Sequence, residues 1–386
     1  MTTRGPGAKR QDRSAYRAAV ICTPGLEDVC RQELRALGCK PKPAGPGALE
    51  MDANARQLYA ANVWLRTASR VLVRMETFRS TDLGHFRRRI DAIDWDRWLT
   101  AGVAPKFRVT SNESKLYHTD AVAERLHDVA GEAAIGVDEP EQLFVVRIYR
   151  NTVTISVDSS GDALHHRPWR TALGVAPLRP TMAAAALLTV AYDPELPLAD
   201  PFCGCGTIPI EAALIARDLP PGGDRDFAFR RWHEFEPGTW ASVNGEISAR
   251  AKAARTARPA DRVEPVIAAS DRDQAAIDAA TGNAERAGVE GDIRFETKVV
   301  SHLAADDGAG LLITNPPFGR RVGDGDLRGL YRRFGAVVRE RRPGWRLAIV
   351  SADRKLSALA DGDLTVAAKF RHGGIPVQLL SRDGSE

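Results

Sequence analysis

The sequence has few cysteines, no long apolar run and no signal-like N-terminus. Its five cysteines are an odd and widely spaced set, which argues against a disulfide framework. Cys203 and Cys205 form a C-x-C pair, but no second Cys/His pair lies at zinc-finger spacing, so no metal site is expected. No stretch reaches the roughly 18 uninterrupted apolar residues that a membrane span needs. Residues 1–14 carry Arg, Lys, Gly and Pro without an apolar segment, which predicts a disordered basic leader on a cytoplasmic protein.

Length and charge indicate a multidomain protein with an uneven charge distribution. The chain has 386 residues, of which 44% are hydrophobic and 27% charged, as in a soluble protein of two or three domains. Residues 1–180 hold 27 Lys and Arg against 21 Asp and Glu, whereas the remainder holds 27 against 29. A basic front half joined to a neutral back half indicates a polyanion-binding module attached to an enzyme, although solvated surface charge would give the same imbalance.

Short strands and helices alternate in the front half, which predicts an α+β region. The predicted strands are Tyr16–Cys22, Ser69–Phe78, Phe107–Thr110, Leu143–Tyr149 and Thr152–Asp158. The predicted helices are Glu27–Leu37, Asn54–Arg66 and Thr119–Ala130. The loop Ser114–His118, between a strand and a helix, offers positive and hydroxyl groups that can face a phosphate.

The pattern changes near Thr181 to near-continuous apolar strands that alternate with helices. The predicted strands are Leu198–Asp200, Val266–Ser270, Leu311–Thr314 and Leu347–Ser351. The predicted helices are Ile208–Arg217, Gln274–Ala287 and Leu327–Arg339. Apolar strands of this kind are covered on both faces, so the pattern predicts an α/β fold with a doubly wound parallel sheet and a ligand at its carboxyl edge.

A glycine loop, Asp200–Thr207, joins the first strand of this predicted sheet to its first helix. Its two glycines let the backbone approach a ligand closely, but Pro209 occupies the third glycine position of a dinucleotide-binding motif, which argues against that ligand. The loop suits S-adenosylmethionine. We predict cofactor contacts from Asp200, Phe202, Gly204, Gly206 and Thr207.

Asp271 stands at the end of the second predicted strand, where a carboxylate can accept both hydroxyls of a ribose. The distance along the chain from the glycine loop is long because of an insertion, 218–262, that is rich in Arg, Trp and Gly. Asp273 is the rival carboxylate, and it is predicted to be a helix cap or a surface charge.

The segment Asn315-Pro316-Pro317-Phe318, followed by Gly319, is the most informative motif. Two prolines cannot continue a sheet, so the backbone must turn out of the strand there. Asn315 and the Pro316 carbonyl can accept the two N–H groups of an exocyclic amine, and Phe318 can stack on the base that carries it. These three residues are the predicted catalytic set, with Asn315 also at the cofactor. An ordinary Pro-rich turn would not require this Asn and this aromatic ring.

Four segments together resemble a known family: Leu164–Arg170, 176–181, 200–213 and 315–319. They look like those of bacterial THUMP-containing guanine-N2 RNA methyltransferases, the large-subunit rRNA group related to the L half of the K/L enzyme. The resemblance implies a ferredoxin-like domain at 15–65, a THUMP RNA-binding domain at 66–160, a connector at 161–182 and a Rossmann-like class I methyltransferase domain at 183–386. It also implies S-adenosylmethionine as donor and guanine N2, in 23S rRNA, as acceptor.

The chain departs from the family pattern at three positions. Cys205 replaces the usual Ser, Phe318 replaces a common Tyr, and His302 stands where an Asp often contacts the adenine amine. The change at His302 means that this adenine contact is not carried over.

The expected partner is structured RNA, bound by a monomer without a membrane or a metal. The residues predicted to contact RNA are Lys115, His165, Arg167 and Arg170. Three alternatives stay open: a tRNA guanine-N2 methyltransferase, a DNA adenine-N6 methyltransferase, and a non-catalytic RNA-binding protein. The front half argues against the DNA enzyme, and the glycine loop with Asn315 argues against the non-catalytic protein.

Overall fold

The computed structural model describes residues 16–131, 140–172, 178–221, 225–256, 267–318 and 326–384. The predicted leader and Gly319 lie outside these ranges. The described residues form two seven-stranded sheets, one in the front half and one in the back half.

The front sheet has the strand order β2-β3-β1-β4-β7-β6-β5. All neighbours are antiparallel except β5 and β6, which are parallel. Its strands are β1 Tyr16–Cys22, β2 Lys42–Pro43, β3 Ala48–Ala53, β4 Ala68–Arg79, β5 Ala104–Asn112, β6 Glu141–Tyr149 and β7 Thr152–Asp158. The accompanying helices are α1 Glu27–Ala36, α2 Ala55–Trp64, α3 Leu83–Asp91 and α4 Thr119–Ala130.

Strand β4 is shared by the two units predicted for the front half. Its first part pairs with β1, where Val73 lies opposite Ala18, and its last part pairs with β7, where Phe78 lies opposite Val153. The predicted border at 65–66 therefore falls just before a strand that serves both units. The division into two domains stays a prediction.

The back sheet has the strand order β10-β9-β8-β11-β12-β14-β13. Its strands are β8 Leu198–Asp200, β9 Ile267–Asp271, β10 Ile293–Thr297, β11 Leu311–Thr314, β12 Arg346–Ser351, β13 Thr365–His372 and β14 Ile375–Arg382. The first five in spatial order are parallel, and β14 runs antiparallel to both its neighbours. The order reverses between β8 and β11, which is where doubly wound sheets bind ligands. The predicted α/β class with a front α+β region is confirmed.

The back half contains six α-helices in the described ranges: α5 Pro180–Thr189, α6 Thr207–Ala216, α7 Pro237–Thr256, α8 Gln274–Ala287, α9 Leu327–Arg341 and α10 Arg354–Ala360. Helices α5 and α6 are apolar on nearly every face and are buried, as such composition requires. Helix α6 follows the glycine loop directly, so its packing fixes where that loop lies.

Residues 225–256, here called the bridging segment, leave the back half and pack into the front half. Phe227, Phe229 and Trp232 are buried within the hydrophobic core of the front sheet. Phe229 stacks on Tyr59 with ring centroids 4.2 Å apart, and the Trp232 indole donates to Gln142 Oε1 at 2.8 Å. The insertion that the sequence identified is therefore a structural link between the two halves.

Candidate active site at the carboxyl edge of the back sheet

The two glycines of the loop after β8 have different surroundings. Both have positive φ, +51° at Gly204 and +80° at Gly206, which favours glycine. A Cβ atom at Gly206 would lie 3.0 Å from the Cβ of Ala280 in α8, so this position is needed for packing. A Cβ atom at Gly204 would meet no described atom within 4 Å. Gly204 is therefore the position where the loop backbone faces open space that a ligand can fill.

Asp200 lies beneath the loop and is only 1% exposed. Its carboxylate accepts hydrogen bonds from the Thr314 hydroxyl at 2.6 Å and from the backbone N–H of Phe202 at 3.1 Å. Burial raises the pKa of this carboxyl to about 7. The side chain holds the end of β8 to the end of β11, and its predicted contact with the cofactor stays a prediction.

Two further loop residues, Thr207 and Phe202, have little of their side-chain surface exposed to solvent. Thr207 is buried, with its hydroxyl 3.6 Å from the Cys205 sulfur, and its predicted cofactor contact stays a prediction. Phe202 is half-buried and packs edge-on against Phe334 of α9, 5.5 Å between ring centroids. The predicted contact of Phe202 with a cofactor stays a prediction.

Asp271 ends β9 and binds the glycine loop. One carboxylate oxygen accepts from the backbone N–H of Gly204 at 3.1 Å, and the other accepts from that of Asp273 at 3.1 Å. Each carboxylate oxygen has a second lone pair, so both can still accept a hydroxyl. Asp273 caps α8 through the backbone N–H of Ala275, as the sequence predicted.

The Asn-Pro-Pro-Phe segment follows β11 at the same edge. The Asn315 Oδ1 atom is buried and accepts no hydrogen bond from the described residues. Pro316 is buried, Phe318 is half-buried, and the Pro317 carbonyl accepts from the Tyr331 hydroxyl of α9 at 3.3 Å. Because Thr314 binds Asp200, the ends of β8 and β11 are joined and the two motifs lie side by side.

The sequence patterns did not identify Thr314 and Val299. Thr314 is a polar end to the apolar strand Leu311–Thr314, which could have indicated its role. Val299 is 44% exposed and lies beside β9, since the neighbouring Lys298 N–H donates to the Asp271 carbonyl at 2.8 Å. His302 is exposed one turn further on. No feature of the sequence marked Val299.

Arg167 lies inside the molecule, which contradicts its predicted contact with RNA. Its guanidinium donates to Glu211 of α6 at 2.9 Å and to the carbonyls of Leu164 and Arg66, both at 2.8 Å. Both side chains of the Arg167–Glu211 pair are at most 1% exposed. Arg167 therefore joins the connector and the front half to the helix that follows the glycine loop.

The other predicted RNA contacts differ in accessibility. Burial, with the positive groups of His166, Arg179 and Arg167 nearby, lowers the pKa of His165 to about 4, so this ring carries no charge at neutral pH. Arg170 is half-buried and donates to the Leu178 carbonyl at 2.9 Å. Lys115 is exposed. Of the four residues, Lys115 best meets the requirement of a phosphate contact, and the contacts of His165 and Arg170 stay predictions.

The described ranges contain no group of three or more His, Cys, Asp or Glu side chains that could hold a metal ion. Within the same ranges no helix is both long and apolar enough to cross a membrane.

Two known domain families match the chain. Residues 167–380 match the UPF0020 model, described as an RMKL-like methyltransferase domain, and residues 18–72 match the RlmL ferredoxin-like domain. The Synechocystis sp. protein slr0064 is 31% identical over 92% of this chain and 94% of its own length. The ribosomal RNA large subunit methyltransferase K/L of Syntrophotalea carbinolica is 31% identical over 94% of this chain, which spans 53% of that protein. The chain thus covers about half the length of its K/L relatives.

Several solved structures share the whole architecture. A possible methylase from Clostridium difficile superposes over 97% of this chain and 99% of its own, with a TM-score of 0.84 and 26% identity. A Listeria monocytogenes protein, described as a predicted N6-adenine-specific DNA methylase, covers 96% of this chain and 97% of its own, with a TM-score of 0.82 and 28% identity. SMU.472, described as a putative methyltransferase and solved as a complex with SAH, covers 96% of this chain and 99% of its own, with a TM-score of 0.82 and 25% identity.

The matches in sequence and in architecture are consistent with the glycine loop and the Asn-Pro-Pro-Phe segment at the carboxyl edge of the back sheet. The match to the methyltransferase model covers more than half of the chain, and the ferredoxin-like match covers most of β1 to β4. This protein belongs to the UPF0020 family of RMKL-like methyltransferases.

Proposed function

We propose that this protein transfers a methyl group from S-adenosylmethionine to the exocyclic N2 amine of a guanine in RNA. The observation that carries the proposal is the Asn315 side-chain oxygen, which is buried beside the glycine loop without a donor from the described residues. An unpaired buried acceptor costs about 1–3 kcal/mol, and at the carboxyl edge of the sheet this oxygen is available to a ligand that supplies the donor. An amine with two N–H groups is such a ligand.

The loop and strand ends fit S-adenosylmethionine, which supplies an electrophilic methyl group. Gly204 offers its backbone to the ligand, and the free lone pairs of Asp271 suit the ribose hydroxyls. Val299, exposed near Asp271, offers an apolar contact to the adenine ring. The SAH complex of SMU.472, a structure of the same architecture, supports this assignment.

Asn315, Pro316 and Phe318 act on the acceptor amine. Its nitrogen lone pair is conjugated with the ring, so the amine is a poor nucleophile. Hydrogen bonds to Asn315 Oδ1 and to the Pro316 carbonyl orient the nitrogen and favour the positive charge that develops on it. A new N–C bond forms as the S–C bond breaks, and the extra proton then leaves to water, so no strong general base is required. Phe318 stacks on the base after it is flipped out of its pair.

RNA is the proposed substrate because two relatives of this chain are named as RNA methyltransferases. The Syntrophotalea protein is named as a large-subunit rRNA methyltransferase, and slr0064 is provisionally named as an RNA methyltransferase. We therefore propose 23S rRNA as the target and residues 66–160 as a THUMP-type RNA-binding domain in a monomeric cytoplasmic enzyme. A DNA adenine-N6 activity is the second candidate, since the Listeria protein is described as a methylase of that kind and adenine N6 has the same two N–H groups.

The test is methylation of four acceptors with labelled S-adenosylmethionine: 23S rRNA, 16S rRNA and tRNA from cells lacking the protein, and unmethylated DNA. Digestion and mass spectrometry then identify the modified nucleoside. We expect N2-methylguanosine in 23S rRNA alone. N6-methyladenine in DNA would contradict the proposal and support the second candidate. N2-methylguanosine in tRNA would keep the proposed reaction and make tRNA, rather than 23S rRNA, the substrate.

The two glycines provide a matched test of the cofactor site. Gly204→Ala should remove most of the affinity for S-adenosylmethionine because the new Cβ enters the space that the ligand needs. Its effect on stability should be limited to the strain of a left-handed residue, about 1–2 kcal/mol. Gly206→Ala should instead destabilise the protein more strongly, since its Cβ would press on Ala280. Calorimetry with the cofactor and urea unfolding without it separate the two, and full affinity in Gly204→Ala would contradict the assignment.

A further inference from the structure

Two tyrosines at one end of the front sheet are exposed without an apolar covering. Tyr117 is 65% exposed and Tyr149 is 37% exposed, and in the described part of the chain only Val299 joins them as a large exposed apolar side chain. The residues around the rings are mainly basic. We call this surface the tyrosine patch and define it as Lys115, Tyr117, His118, Arg147, Tyr149 and Arg150.

Hydrogen bonds hold the two tyrosine-bearing segments together. Strands β5 and β6 are parallel and end side by side, with Asn112 opposite Tyr149. In the loop after β5, the Lys115 N–H donates to Asn151 Oδ1 at 2.8 Å, and the Asn151 N–H donates back to the Ser114 hydroxyl at 3.0 Å. The loop after β5 and the turn after β6 are therefore one connected surface.

The backbone of this surface is unusual for the residues that form it. Glu113, Arg150 and Asn151 have φ values of +50°, +48° and +62°, although none of them is glycine. Two positive φ values in a two-residue hairpin loop define a type I′ turn, for which Asn-Gly is the preferred sequence. Strained conformations of this kind cluster at sites that bind ligands. An arginine at the first turn position therefore indicates a role for its side chain.

The side chains of the turn place charge around a flat ring. The guanidinium groups of Arg147 and Arg150 lie 5.4 and 5.1 Å from the centre of the Tyr149 ring. Arg150 also donates to Glu113 at 2.8 Å, which is the acidic group of the loop. The Tyr117 ring lies 4.0 Å from the His118 ring, tilted by 41°, and keeps most of its surface in solvent. Exposed rings beside cations suit a ligand that combines flat bases with phosphates.

We propose that the tyrosine patch binds unpaired nucleotides of the RNA substrate, with bases stacked on Tyr117 and Tyr149 and phosphates near Lys115 and Arg150. Duplex RNA is a poor fit because its base faces are already stacked, whereas proteins bind single strands by aromatic stacking along a basic surface. The inference rests on the proposed function, since it takes the substrate to be RNA. It adds a second contact that selects sites next to single-stranded segments.

Fluorescence anisotropy of the full chain with a labelled single-stranded RNA of about ten nucleotides, and with the same sequence as a duplex, tests the proposal. We expect Tyr117→Ala and Tyr149→Ala each to lower the single-strand affinity by about tenfold, the scale of one lost base–aromatic stack. Tyr117→Phe and Tyr149→Phe keep the ring and should bind as the parent does. Lys115→Glu should weaken binding, whereas Lys355→Glu, an exposed lysine in α10, should not.

Separate measurements distinguish this proposal from the proposed function. Calorimetry with S-adenosylmethionine should give the same affinity in all patch variants, and methyl transfer is measured on its own. Unchanged single-strand affinity in both alanine variants would overturn the tyrosine patch as an RNA site, even in an active methyltransferase. If instead the variants lost retention on whole ribosomal subunits but not on naked RNA, the patch would dock a protein and the proposal would be wrong. Patch-dependent RNA binding without methyl transfer would contradict only the proposed function.

Discussion

Asn315 combines two properties that are costly together in a side-chain amide: its oxygen is buried, and no described residue donates to it. Thr314, one residue earlier, has its hydroxyl bonded to Asp200, so the strand end is held firmly while the amide beside it keeps an unused acceptor. The same contrast separates Gly206, which packs against α8, from Gly204, which faces open space. At this scale, residues that hold the site and residues that are left open within it are neighbours in the sequence.

Asn315→Ala should lower the rate of methyl transfer by about 10²–10³-fold, the scale of one lost transition-state hydrogen bond in a preorganised site. Affinity for S-adenosylmethionine should change little. Single-turnover methylation and calorimetry measure the two effects. Asn315→Asp keeps an acceptor oxygen and should retain part of the rate. An alanine variant with the parent rate would remove Asn315 from the mechanism.

The raised pKa of Asp200 predicts a pH dependence of stability. In the unfolded chain this carboxyl has an ordinary pKa near 3.8, whereas burial raises it to about 7 in the fold. Because the folded state binds the proton more tightly, the contribution of Asp200 is most favourable below about pH 4 and is lost as the pH rises towards 7. Urea unfolding of the parent and of Asp200→Asn at several pH values should show the parent losing stability relative to the variant across this range. A constant difference would mean that the carboxyl is not shifted.

At the scale of helices and strands, sequence patterns predicted four of the seven strands of the back half and three of its six described helices. Apolar strands and the helices between them were placed within about two residues, because a doubly wound sheet repeats one clear pattern. Strand β10 and helices α5 and α10 were missed. The antiparallel pair β13 and β14 was missed as well, since half of the β13 residues are exposed and its sequence has no clear alternation. Helix α3 was missed although Leu83, Phe86 and Ile90 have helical spacing, and α7 was missed because its sequence has little amphipathic pattern.

The error at Arg167 has a different cause. An arginine between two histidines and a proline looks like a phosphate contact, and its partner Glu211 is 44 positions away. Only the fold brings the connector against α6. Glu33, which is half-buried, accepts from the backbone N–H of Arg66 at 2.7 Å and adds a further acidic group to this junction. Sequence alone cannot separate a buried ion pair from a surface cation when the partner is so distant.

Arg167→Leu should destabilise the protein by about 3–5 kcal/mol, since it leaves Glu211 buried without its partner. The double variant Arg167→Leu/Glu211→Leu should recover much of that loss because no lone charge remains. Urea unfolding of the two single variants and the double variant measures the coupling. A loss in the double variant equal to the sum of the two single losses would show that the two charges do not stabilise each other.

At the scale of the whole molecule, the two halves share their cores. Leu26, from the front half, is buried in the core of the back sheet, and Phe229, from the back half, is buried in the core of the front sheet. The turn at Gly25 lies against β13, where a Cβ atom on Gly25 would come within 1.9 Å of the Lys369 carbonyl oxygen. We therefore expect the halves to unfold together in one cooperative transition.

Gly25→Ala should lower the stability of the whole protein by several times the loss in Gly38→Ala. Both glycines have positive φ, so both variants carry the strain of a left-handed residue, about 1–2 kcal/mol. At Gly38 no described atom lies within 4 Å of the new Cβ, whereas at Gly25 the contact with Lys369 must be broken. Thermal unfolding measures both. Equal losses of stability in the two variants would mean that the structure can relieve the contact with the Lys369 carbonyl without a free-energy cost.

The bridging segment decides how this protein can be recombined with its relatives. A front half cut out at residue 160 would leave behind Phe229 and Trp232, which fill its interior, and so would expose the faces that they cover. A chimera that exchanges the front halves of two such proteins must therefore carry residues 225–256 along with the front half, although they lie far downstream in the sequence. The two halves are consequently inherited as one piece.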